Sequence, residues 1–300
     1  NPSLPVGTAN TGFGLDKGEL LVGSNFFTQH IDWSHGALDS TGPHAGTLDS
    51  HISDININYG LNEKWNLGLN MIVGKRTMHF PQESNIHHRD ESRSGIGDIS
   101  INLRYVKSNI SFGPGTRLFF GGGIVIPSNN TLKSDPFLDG DSGKTHTHFD
   151  MSEGAFKVSG EVQYFKRDTT AIFGGGILKY SFAPKQNNYS FLPGYQIDGI
   201  ALFYWQTKQI FKGIPQFSLI GQKRGVDYWG GDVAPNSGGF ILQGDAGLMW
   251  NLGQQHFTLS VRVPLYQALN MVNEGSSVDN HADMWGFSVS YRTVLTLGDK

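Results

Sequence analysis

The sequence predicts an all-β fold: a transmembrane antiparallel up-and-down β-barrel of about twelve strands, with long loops at one end and short turns at the other. Apolar residues fall on every second position in segment after segment. Successive side chains of a strand point to opposite faces, so each segment carries one greasy face and one wet face. The connections alternate strictly between short and long, which sends every long one to the same end of an antiparallel barrel. Charged residues make up 16% of the chain and glycines 40 of 300, whereas a soluble domain carries about a quarter charged residues.

Residues 1–18, rich in Pro and Gly, read as an N-terminal extension or small plug, and 19–300 as a single barrel domain. The first strand is expected near 19–32. A hairpin over 54–74 follows, with Ile55, Ile57 and Tyr59 before its turn and Trp65, Leu67, Leu69, Met71 and Val73 after it on one face. Asp54, Asn56, Asn58, Asn66, Gly68 and Asn70 form the other face. Further strands are expected near 95–106, 116–127, 153–166, 170–182, 195–209, 215–226, 239–251, 256–266 and 284–297. The short turns fall near 60–64, 107–115, 167–169, 210–214 and 252–255. The long loops fall near 33–50, 77–94, 128–152, 183–194, 227–238 and 267–283. Both ends of the barrel then lie at the short-turn, periplasmic side.

The apolar face carries most of the bulky residues, which suits lipid outside and a polar lumen inside. A soluble sandwich would need the reverse. Tyr59, Trp65, Tyr105, Tyr164, Trp205, Trp250 and Phe257 beside short turns, and Tyr180, Trp229, Tyr266 and Trp285 beside long loops, are expected to form two interfacial girdles. No run approaches the roughly 18 to 20 apolar residues of a spanning helix. The absence of Cys removes disulfides and thiolate chemistry. A net charge of −3 offers no basic field for nucleic acid. The opening Asn1, without Met or a signal sequence, reads as a processed, exported chain.

The wet face supplies the candidate pore lining: Asp54, Asp98, Arg104, Lys157, Glu161, Asp198, Asp245, Arg262 and Arg292, with Lys179 beside them. Charges inside a membrane are functional or hold a wall together. A selectivity zone of Asp98, Arg104, Lys157, Glu161 and Arg262 competes with a purely structural role for the same charges. Histidines gather in or beside the long loops, with pairs at His87 and His88 and at His146 and His148. In an extended strand His146, His148 and Asp150 share a face, and imidazole suits Zn or Cu. Loop polarity alone would also place histidines there. No GxSxG occurs, and inward Ser159, Ser260 and Ser288 lack a matching His, so no catalytic constellation is expected.

GIGDISINLRYV at 95–106, FFGGGIVIP at 119–127 and SVRVPLYQAL at 260–269 together resemble outer-membrane barrels of the MetA-pathway phenol degradation, or transporter-like, family. The resemblance implies uptake of small, often hydrophobic or aromatic, compounds, and implies that Gly97, Asp98, Arg104, Pro127 and Pro264 line the lumen or its rim. The reading that follows is a passive outer-membrane channel for small molecules, bathed in lipid and needing no cofactor or nucleic acid. The alternative is a surface-exposed barrel whose His-rich loops bind a metal or a partner.

Overall fold

A computed structural model describes residues 14–35, 44–80, 89–108, 115–142, 144, 147, 149–167, 172–234, 237–269 and 281–297. Twelve strands close into one antiparallel barrel: β1 (Glu19–His35), β2 (His44–Gly60), β3 (Trp65–His79), β4 (Glu91–Ser108), β5 (Gly115–Ile126), β6 (Lys157–Arg167), β7 (Ile172–Phe182), β9 (Gln196–Trp205), β10 (Ile214–Arg224), β13 (Gly239–Leu252), β14 (Gln255–Leu269) and β15 (His281–Thr296). Each strand pairs with its barrel neighbours in sequence, and β1 meets β15 from Glu19↔Thr296 to Ser34↔His281. The long connections also hold a short helix, α1 (Pro136–Asp141). A small sheet in the order β12–β11–β8 is built within those connections from β8 (Phe191–Leu192), β11 (Tyr228–Trp229) and β12 (Asp232–Val233).

The alternation decides inside from outside. Along β3, Trp65, Leu67 and Leu69 are exposed while Asn66 and Gly68 are buried; along β4, Ile101 and Leu103 are exposed while Ser100, Asn102 and Arg104 are buried. Exposed apolar side chains over buried polar ones are what lipid outside and a polar lumen require. At the short-turn end Tyr59, Trp65, Tyr164 and Trp205 face outward, and Trp65 stands edge-on to Tyr105 at 5.2 Å. At the opposite end Tyr180, Tyr266 and Trp285 do the same. Trp229 leaves that girdle: it is buried in β11 against Phe191 at 4.8 Å, because the small sheet turns it inward.

The expected connection over 33–50 shrinks to 36–43. The first two strands run on above the lipid, where their outward face changes chemistry from Phe26 and Ile55 to Thr28, His30, Asp32, Asp49 and His51. Outward polarity there meets water, and the inward positions Ile31, Leu48 and Ile52 become a buried apolar core. His30 Nδ1 lies 2.6 Å from Asp49 Oδ1 across this pair. The strand expected from 153 begins instead at Lys157, because residues 149–156 turn into the barrel. The strand expected to reach 209 stops at Trp205.

The interior is not uniformly polar. Near the short-turn end, inward Phe119, Phe165, Ile200, Leu202, Tyr204, Ile220 and Met249 form a buried cluster with Phe173 and Ile177 packed on it. Phe165 and Phe173 stack at 5.4 Å, planes 8° apart. Gly175 on β7 leaves room for the Phe165 ring, since a Cβ there would lie 2.4 Å from Phe165 Cδ1.

A charged lumen closed by an inward loop

The returning part of the connection after β5, residues 149–156, enters the lumen because β4 makes a place for it. Opposite Met71 to Val73, β4 carries one extra residue between Ile99 and Ile96, a β-bulge. Two consecutive residues, Gly97 and Asp98, are therefore buried on the inner side. Gly97 has no Cβ, and a Cβ there would lie 2.6 Å from the Met151 carbonyl oxygen, so the loop backbone passes where only glycine allows it. The upper edge of β4 is covered by side chains from the start of the loop. Ser128 Oγ donates to Ile96 O at 2.8 Å and Asn130 Nδ2 to Ser94 O at 2.9 Å. Asn130 in turn holds the returning chain, its carbonyl accepting from Ser152 N at 2.8 Å.

The returning segment is locked by charge. Ser152 Oγ donates to Asp98, and Glu153 is paired with both Lys157 and Arg224. Lys157 Nζ also lies 3.8 Å from Asp98 Oδ2, and Arg224 Nη2 lies 3.4 Å from Asp227 Oδ1. Burial pushes the Glu153 carboxyl up, but the adjacent Arg224 and Lys157 more than reverse this and hold it at about 2. Phe149 and Met151 are buried, Phe149 against Ile31, Leu48, Ala282 and Met284. Asp150 is paired with Arg93 at 3.3 Å, and its carbonyl accepts from Arg76 Nη1 at 3.5 Å. Burial raises the Asp150 carboxyl, opposed by Arg93.

The nine sequence-derived charges all take inward positions, but they do not form one ring. Arg104 pairs with Glu161 across β5, where inward Gly121 removes the side chain that would separate them; a Cβ on Gly121 would lie 2.6 Å from Glu161 Cγ. Arg104 Nη1 also donates to Asn58 Oδ1 at 3.2 Å. Together with Asp98 and Lys157 this makes one wall. Arg262 belongs to another: it lies 3.5 Å from Asp245 and stands over the Phe27 ring at 4.7 Å. Asp245 accepts from Ser260 at 2.9 Å and Ser218 at 3.3 Å, and Ser260 and Ser288 share a 2.7 Å hydrogen bond. Asp198 accepts from Gln222 at 2.7 Å and Gln196 at 2.9 Å, opposite Lys179 in register. Arg292 approaches Met249 Sδ at 3.8 Å, and Asp54 faces the lumen opposite Asn25 and Ile72.

His87, His88, His146 and His148 lie outside the described residues. Among the described residues, no three His, Asp or Glu side chains converge as a metal would require. Glu153, Arg224 and Arg76 join the charged interior beyond those nine. Arg224 shares the parity of Gln216, Ser218 and Gln222, and Arg76 that of Asn66 and Asn70, so alternation carried both signals. Glu153 has no such mark, since it sits on a loop.

A closed twelve-stranded barrel with a greasy outer wall and a charged interior is a transmembrane β-barrel of the bacterial outer membrane. The chain is similar in fold to the COG4313 outer membrane channel from Pseudomonas putida F1, with a TM-score of 0.66 at 11% identity over 98% of this chain and 100% of that one. Looser overlaps occur with the TodX monoaromatic hydrocarbon channel deltaS2 mutant (TM-score 0.43, 10% identity, 95% and 91% covered) and a Pseudomonas aeruginosa FadL homologue (0.39, 10%, 95% and 91%). No protein-family model matches the chain, and no curated protein matches it.

Proposed function

We propose that the protein is a passive outer-membrane channel for small molecules, with hydrophobic or aromatic compounds as its cargo. One observation carries this reading: the interior is layered. An aromatic and aliphatic belt built on Phe119, Phe165, Phe173 and Tyr204 lies below the charged wall, and a second apolar cluster around Phe149 lies above it. Ring faces and aliphatic side chains offer an apolar solute contacts that water cannot match. The charged wall between them screens ions by sign. The likeness in fold to the outer membrane channel from Pseudomonas putida F1 supports a channel, and the resemblance of GIGDISINLRYV and its companion segments supports the cargo.

Permeation of this kind needs no cofactor, only a path that the inward loop can narrow or release. Single-channel recording in planar bilayers, paired with uptake of toluene into vesicles holding the purified barrel, tests the reading. Discrete openings together with toluene uptake above that of protein-free vesicles are expected. A barrel that is electrically silent and adds nothing to toluene uptake overturns it.

A further inference from the structure

The chain carries a net charge of −3, yet one sector of its short-turn rim is basic. From the β2–β3 turn round to the start of β10, that rim bears exposed Lys64, Lys107, Lys166, Arg167, Lys208 and Lys212. Among the described residues there, Glu63 is the one exposed acid. The sign is local. Diametrically across the barrel from β5, the β13–β14 turn at Gly253 and Gln254 is uncharged, and the end of β15 exposes Leu295 and Leu297. At the opposite rim two outward acids, Asp32 and Asp283, face each other in register.

Two of the cations stand on the lipid-facing wall itself. Lys107 takes the next outward position of β4 after Tyr105, and Lys166 takes the next outward position of β6 after Tyr164. β5 runs between them, and its register fixes their spacing. Leu118 pairs with Lys107 on one side and Tyr164 on the other, and Thr116 pairs with Lys166. The two lysines are therefore two strands apart and offset by two residues, about 12 Å between Cα atoms. The outward side chains between them, Thr116 and Leu118, are half-buried and shorter than a lysine. Four-carbon stems on either side let both ammonium groups reach one anion above that floor.

Depth selects the ligand. Girdle rings settle at headgroup level, and a lysine just beyond one lays its stem along the apolar wall and its charge among the phosphates. We propose that Lys107 and Lys166, beside the Tyr105 and Tyr164 rings, hold the phosphate of an anionic phospholipid in the periplasmic leaflet. The site lies on the outer wall and needs no open lumen, so it stands apart from the channel reading. One lysine at the surface favours an anionic leaflet roughly fivefold; two on one phosphate give on the order of tenfold or more, and less as salt screens them.

The chain has no Cys, so a single cysteine carrying a fluorophore reports one place. Phe120→Cys, outward on β5 and the register partner of Tyr105, reports the site; Leu259→Cys, outward on β14, reports the opposite wall. Each labelled barrel is placed in phosphatidylcholine vesicles with a minor fraction of nitroxide-labelled phosphatidylglycerol or nitroxide-labelled phosphatidylcholine, at low salt. At Phe120→Cys, labelled phosphatidylglycerol is expected to quench at about tenfold lower content than labelled phosphatidylcholine, while at Leu259→Cys the two agree within twofold. Lys107→Gln with Lys166→Gln is expected to bring the first position within twofold as well, and Lys107→Arg with Lys166→Arg to keep most of the preference. Migration of the unheated barrel on a gel shows that each variant has folded. Equal quenching by the two lipids at Phe120→Cys, a preference equal at both positions, or a preference that survives the glutamine pair overturns the site. Displacement of the lipid by inorganic phosphate would assign the two lysines to a free anion and overturn the lipid as its ligand.

Discussion

The carbonyl oxygen of Met151 occupies the space that a side chain on Gly97 would need, 2.6 Å from its absent Cβ. A bulge in one strand and a turn of the longest described connection thus fit each other, and the fit brings Ser152 to Asp98 and Glu153 to Lys157 and Arg224.

Gly97→Val keeps a good strand former on β4 but collides with that carbonyl. The inward segment 149–155 is expected to leave its seat. Single-channel conductance should rise severalfold, and the segment should become a site of proteolysis in the folded barrel. Unchanged conductance with an intact segment would show that the loop does not narrow the path.

Glu153 carries the loop clamp. Its folded carboxyl titrates near 2, below the ordinary value of about 4.3. A lowered pKa contributes stability that is fully present above the ordinary value and is lost as pH falls through the folded one. Conductance is therefore expected to hold steady from neutral pH to about 4.3 and to change only as pH approaches 2. Glu153→Gln removes the carboxylate that Lys157 and Arg224 share and leaves them only Asp98 at 3.8 Å and Asp227 at 3.4 Å, a loss of at most about 3 to 5 kcal/mol for a buried pair. It should give the open-loop behaviour already at pH 7.

The Arg104–Glu161 pair sets the sign of one wall. Arg104→Ala leaves a bare carboxylate and is expected to shift the reversal potential in a salt gradient toward cation preference; Glu161→Gln should shift it the other way. Gly121→Ala, which places a methyl group between the two, is expected to weaken their coupling in a double-mutant cycle.

Asp150 separates the loop clamp from any metal capture by the histidines. Its carboxylate is engaged by Arg93, so Asp150→Asn is expected to leave binding of Zn or Cu to the whole protein within twofold, as read by calorimetry. His146→Ala with His148→Ala is the matching test of our proposal that those two side chains bind the metal. A large loss of affinity on changing Asp150 would return it to the ligand set.

Alternation in DININYGLNEKWNLGLNMIVG and in HFTLSVRVPLY was enough to separate lipid face from lumen, since a period of two allows one face only. It placed Asp98, Arg104, Glu161, Asp245 and Arg262 inside before any contact was known. The same rule misled at residues 33–35 and 44–50, where Thr47 and Asp49 looked like part of a loop although they lie on the outward face of strands that have left the lipid. It also left Phe119, Phe165 and Phe173 unremarked, because an aromatic on the inward parity resembles any other strand residue.

By itself, then, the sequence determined the barrel, its strand count, its inside and outside, and which end bears the long connections, because those depend on local periodicity and on the spacing of turns. Tertiary structure alone decided which charges meet, that Gly121 lets Arg104 reach Glu161, and that Glu153 turns from a loop into the lumen. Each of these depends on distances between segments far apart in the chain, and a repeat of two residues contains no measure of those distances.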